Sequence, residues 1–136
     1  MLNIFNIEKQ INKRVHCFLL QKATEEGIEP GNARLVINII LGKASIHLYN
    51  HCKYVKTLHF KSIVEFFGKE YDESKINAVY EYLVKLSEEQ QIELSKLNVV
   101  ICEIKSELST HLYNETIYKK RISTLDLLTH FNTTNK

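Results

Sequence analysis

The chain has 136 residues and a mass of 15.9 kDa, with 44% apolar residues, 25% charged residues and a formal net charge of +2. These values exclude a disordered tail or a fibrous repeat, and a chain this long buries roughly 68% of its unfolded surface without staples. With 18 Lys+Arg against 16 Asp+Glu, charge alone gives no ground for a nucleic-acid or membrane partner.

From Leu2 to Glu26, Ile4, Ile7, Ile11, Val15, Phe18 and Leu19 recur at steps of three and four, which predicts an amphipathic helix. Gly27 suits the residue just past its end, and Pro30-Gly31-Asn32 marks a loop. Next, Leu35, Ile37, Ile39 and Leu41 alternate in a β-branched run. A hairpin turn at Gly42-Lys43 pairs Ile39 with Ile46, and a second at His51-Cys52 pairs Leu48 with Val55. Both pairings put the apolar set on one face, so a three-stranded antiparallel meander is expected over about Arg34 to Phe60. The competing reading is a buried helix over Arg34 to Asn50, as in an all-α bundle; Gly42 in its middle argues against it.

Ser62 and Glu65 form a capping-box pattern for a short helix ended by Gly68, and Asp72 offers the next N-cap. From Asp72 to Lys120 no Gly or Pro occurs, and apolar residues step through Ile76, Val79, Leu83, Leu86, Leu94, Leu97, Ile101, Ile104 and Leu108. This predicts helix over 73–120, about 70 Å if continuous, against a radius of gyration of about 14 Å for a compact domain. Such a helix breaks near Ser87 to Gln91 or protrudes in coiled-coil fashion. A protruding part needs a partner over Leu94, Leu97, Ile101, Ile104 and Leu108, which points to a homodimer. Lys119-Lys120-Arg121 then complements its C-terminal dipole. Ser123 and Asp126 start a last helix through Leu125, Leu128 and Phe131. The expected whole is one α+β domain over 1–131, the meander packed on one face by the N-terminal helix and the long C-terminal helices. The tail 132–136 is expected to fray, and no internal repeat is read.

Cys17, Cys52 and Cys102 are odd in number and without CxxC spacing, which suggests reduced thiols in a cytoplasmic setting. Charged residues interrupt the N-terminal apolar positions, so neither a signal peptide nor a membrane span is expected. His47, His51, Cys52 and His59 offer zinc-type ligands, but the meander splits them between faces and a turn, so no metal and no cofactor is expected. Nor is there a Gly-rich phosphate loop, nucleophile elbow or HExxH motif, and an enzyme is the least supported class.

The second face of the meander carries Arg34, Val36, Asn38, Ile40, Ser45, His47, Tyr49, Tyr54, Lys56 and Leu58. Tyrosines among His, Lys and Arg suit single-stranded nucleic acid, through Arg34, His47, Tyr49, Tyr54 and Lys56. They suit a protein contact equally well. The leading expectation is a non-enzymatic interaction or regulatory protein acting as a homodimer; the other is a nucleic-acid-binding accessory factor.

Overall fold

The computed structural model describes residues 4–131, with side chains from Ile7 onward, so the expected fraying at 132–136 lies outside it. The elements are α1 (Ile4–Glu26), β1 (Ala33–Ile40), β2 (Lys43–Asn50), β3 (Lys53–Leu58), α2 (Phe60–Phe66), α3 (Ser74–Gln90), β4 (Leu97–Ile104), β5 (Glu107–Asn114), β6 (Ile117–Ile122) and α4 (Thr124–Thr129). One antiparallel sheet holds all six strands in the order β3-β2-β1-β4-β5-β6. The fold is α+β, but the three-stranded sheet expected from the sequence is only half of the one observed. The all-α alternative fails with the same finding.

Helix 73–120 does not exist. α3 ends at Gln90, inside the break expected at Ser87 to Gln91, with Gln91 in a left-handed conformation (φ 54°), but residues 97–122 form three strands and not a second stretch of helix. Lys119, Lys120 and Arg121 therefore lie on an outer strand and not at a helix end. The chain reverses without glycine at Lys105-Ser106 (φ 52° and 67°) and at Glu115-Thr116 (Glu115 φ 56°). Within the first half, the turn sits at Leu41-Gly42, one residue earlier than expected. Ile39 consequently faces Ala44, and Ile37 faces Ile46. The shift is even, so the inward face is unchanged.

Helix ends follow local chemistry. Gly27 (φ 68°) closes α1, and Ser123 Oγ accepts the Asp126 N–H at 3.2 Å to open α4. α2 is capped by His59, whose Nδ1 accepts the Lys61 N–H at 3.1 Å, in place of the expected Ser62. Asp72 Oδ1 accepts the Ser74 N–H at 2.8 Å ahead of α3.

The chain also contains an internal repeat, which the sequence reading above does not find. A shift of 64 positions lays α1-β1-β2-β3-α2 onto α3-β4-β5-β6-α4. It superposes His47-Leu48-Tyr49-Asn50 on His111-Leu112-Tyr113-Asn114, Tyr54 on Tyr118 and Lys56 on Lys120. At the central seam Val36 pairs with Val100, its own equivalent, and Leu35↔Ile101 mirrors Ile37↔Val99. A pseudo-two-fold axis therefore passes between Val36 and Val100. The His51 N–H donates to Asn32 O at 2.7 Å, and the Glu115 N–H donates to Lys96 O at the same 2.7 Å.

All four helices cover one face. Leu35, Ile37, Ile46, Leu48, Val99, Ile101 and Leu112 form its sheet side, against Val15, Phe18 and Leu19 of α1 and Val79 and Leu83 of α3. The leading helices are exchanged: α1 packs over β5 and β1, and α3 over β2 and β1. Each repeat thus covers its neighbour's strands as well as joining them at the seam. The outer strands expose Lys53 and Lys56 on one side and Lys119, Lys120 and Arg121 on the other.

At the β1–β2 tip, Leu41 is 98% exposed at φ 53°, a conformation that costs a γ-branched residue about 1 kcal/mol and that asparagine tolerates. Leu41→Asn gives the preferred Asn-Gly hairpin turn and forfeits no buried surface. It is expected to raise stability by about 1 kcal/mol, read as a melting temperature about 3–5 °C higher in thermal unfolding.

Candidate functional site: a trough on the pseudo-dyad

The face opposite the helices carries His47, Tyr49, Tyr54 and Thr57 from the first half and His111, Tyr113, Tyr118 and Arg121 from the second. Its aromatic side chains repeat as matched sets. Tyr49 meets Tyr54 with ring centroids 5.8 Å apart at 76°, and Tyr113 meets Tyr118 with the same two values. His47 lies 6.1 Å from Tyr54, and His111 lies 5.6 Å from Tyr118. Tyr54 OH and Thr57 Oγ1 are hydrogen-bonded at 2.8 Å, and Thr57 also bonds His47 Nδ1 at 3.0 Å. Burial holds the His47 pKa below the ordinary histidine range; burial and the nearby Arg121 do the same for His111. In both rings the protonated form is thereby disfavoured.

Between these sets lies a cavity of about 380 Å³ lined by Arg34, Val36, Tyr49, His51, Cys52, Asn98, Val100, Tyr113, Glu115 and Thr116. The ten residues are five pairs related by the repeat. The central pairs are identical, Val36 with Val100 and Tyr49 with Tyr113. The polar pairs have diverged: Arg34 against Asn98, His51 against Glu115, and Cys52 against Thr116. Its volume is at the small end of the roughly 300–1,000 Å³ range of ligand sites. Arg34 is half-buried, and its Nη1 donates to Asn32 O at 3.4 Å. Among the described residues no carboxylate pairs with it. At the other end Asn98 Nδ2 donates to Glu115 O at 3.1 Å, and Asn98 Oδ1 accepts from Asn38 Nδ2 at 2.9 Å.

Of the residues read from the sequence as a nucleic-acid surface, Arg34, His47, Tyr49 and Tyr54 share this face. Lys56 does not. The register shifts between Leu48 and Tyr49, so Lys56 stands opposite Leu48 on the helix side, where its Nζ lies 3.4 Å from Glu26 Oε2. The same bulge turns Leu58 inward opposite Ile46.

The helical stripe proposed for a partner is absent. Leu97, Ile101 and Leu108 are inward strand residues at 1%, 0% and 4% exposure. Leu94 is half-buried in a short 3-10 turn, and only Ile104 is exposed, at the end of β4.

Asn98, Val100, Tyr113, Glu115 and Thr116 were not identified from the sequence. The signal that would have found them is the second His-Leu-Tyr-Asn, at 111–114.

His51 and Cys52 share a turn, with Cys52 Sγ 3.2 Å from His51 Nδ1, but His47 points to the open face and His59 caps α2, so the four do not converge on one point. No group of three or more His, Cys, Asp or Glu among the described residues is placed to hold a metal. No helix among them is long and apolar enough to cross a membrane. Cys102 is buried in the sheet, and burial raises its thiol pKa against the opposing pull of Arg34, an environment unsuited to a nucleophile.

The chain is thus an internally duplicated α+β protein with one open sheet face and a trough on its pseudo-dyad. Compared with protein-family models, curated proteins and solved structures, it matches none of them.

Proposed function

We propose that this is a non-enzymatic binding protein that docks another protein on its open sheet face. The observation that carries this reading is the trough itself: tyrosine walls, a valine floor and a half-buried Arg34 with no carboxylate paired to it among the described residues. Tyrosine and arginine dominate the centres of protein interfaces, where they bury area and keep hydrogen-bonding ends. A guanidinium removed from water gains most from a carboxylate delivered by a partner. Three unbridged cysteines support a reducing, cytosolic setting. The uncovered helix that suggested a homodimer has no counterpart here, and two-fold packing is already supplied within one chain.

A photo-crosslinking residue at position 49 or 113, introduced in cells, is expected to capture the same partner from both sites. The same residue at exposed Gln21 on α1 is expected to capture nothing. Equal capture from Gln21, or none from the trough, would refute the reading. Nucleic acid is the second reading, favoured by the four tyrosines. It requires labelled oligonucleotides to bind with an affinity that falls steeply between 50 and 200 mM salt, a range over which phosphate contacts lose orders of magnitude.

A further inference from the structure

The trough has like walls and unlike ends. A site with perfect two-fold symmetry would accept a bound segment and its half-turn image equally well. Here the central residues keep that symmetry, Val36 with Val100 and Tyr49 with Tyr113, while the ends break it. One end presents Arg34 and His51, the other Asn98 and Glu115. Arg34 lies opposite Cys102, and Asn98 lies opposite Asn38 across the same seam. Glu115, whose N–H bonds Lys96 O, lies level with Ile40 in the same register, so the two charged groups are about six residues apart along β1, on the order of 20 Å. The Arg34 guanidinium has one long hydrogen bond and no carboxylate, and the Glu115 carboxylate has no cation paired with it among the described residues.

We infer that the trough takes a short extended peptide segment of the partner, charged in opposite senses at its two ends. This rests on the protein-docking reading above and gives that partner its chemistry. An Asp or Glu pairs with Arg34, apolar or aromatic side chains cross Val36 and Val100 between the tyrosines, and a Lys or Arg reaches Glu115. Six extended residues match the distance between Arg34 and Glu115. A nucleic-acid strand fits less well: its phosphates recur along the whole length and would pass Glu115 with no second cation opposite Arg34.

The test is selection of a randomised seven-residue peptide library on the immobilised full-length chain. Enriched peptides are expected to carry an acidic residue toward one end, a basic residue toward the other and apolar residues between. Arg34→Asn, which copies Asn98, is expected to abolish the acidic preference alone. Glu115→His, which copies His51, is expected to abolish the basic preference alone. Each is expected to weaken an enriched peptide about tenfold, the worth of one charge-assisted contact. Far-ultraviolet circular dichroism confirms that both variants fold. No enrichment, enrichment without charge polarity, or the same preferences in both variants would overturn the inference. Displacement of enriched peptides by a single-stranded oligonucleotide at low micromolar concentration would overturn it in favour of nucleic acid. Loss of polarity with crosslinking from positions 49 and 113 intact refutes the bipolar segment alone, whereas loss of that crosslinking refutes the docking reading itself.

Discussion

Replacing Ile101 by alanine is expected to destabilise the protein by about 2–5 kcal/mol, while Ile104→Ala, three residues on, costs less than about 1 kcal/mol. Ile101 has 0% exposure on β4, opposite Leu35 at the seam and Thr110 on β5, so truncation opens a cavity where both halves meet. Ile104 is 46% exposed at the strand end and leaves no void. On the amphipathic helix read from the sequence, both would lie on one surface stripe and behave alike. Urea unfolding distinguishes the two, since the Ile101 variant alone should move the midpoint at unchanged slope.

Separating the chain in the 69–73 loop is expected to abolish the fold of either half as a monomer, and mixing the halves is expected to restore it. The reason is the exchange of leading helices. The first half alone keeps α1 but loses β5 beneath it, and its β2 loses the cover of α3. β1 and β4 become open edges with Leu35, Ile37, Val99 and Ile101 bared on their inner sides. Signal dispersion in proton–nitrogen spectra should collapse for each half at micromolar concentration and return at a one-to-one ratio. Retention of native dispersion by a dilute, monomeric half would show that the helix exchange is not needed for folding.

The first sheet half was legible because Leu35, Ile37 and Ile39 alternate and Gly42 marks a reversal, two cues that agree. The second was not, because Leu97, Ile101, Ile104 and Leu108 also satisfy a helical spacing, and periodicity alone does not separate the two. Its turns use Lys105, Ser106 and Glu115 in left-handed conformations, so the residues that usually announce a hairpin are missing. The absence of Gly and Pro was therefore a misleading cue. The stripes of α1 and α3 and the Ser123 cap were readable because each depends on near neighbours. The repeat was obscured because identity concentrates around 47–56 and 111–120, while equivalent core positions share only apolar character, as with Ala33 and Leu97 or Leu35 and Val99, or not even that, as with Ile46 and Thr110. Assigning Lys56 to the tyrosine face failed for a subtler reason: one extra residue in β3 reverses every later side chain, and a bulge leaves no mark in an alternating pattern.

The outermost strands β3 and β6 have a further consequence. Each presents a row of free amide and carbonyl groups on its far side, and an open antiparallel sheet with two such margins could in principle grow by adding copies end to end. Lys53 on one border and Lys119, Lys120 and Arg121 on the other make like charge meet like in any such approach, whichever borders are brought together. Charge on the borders thus opposes growth of the ladder, a role that closure plays in a barrel.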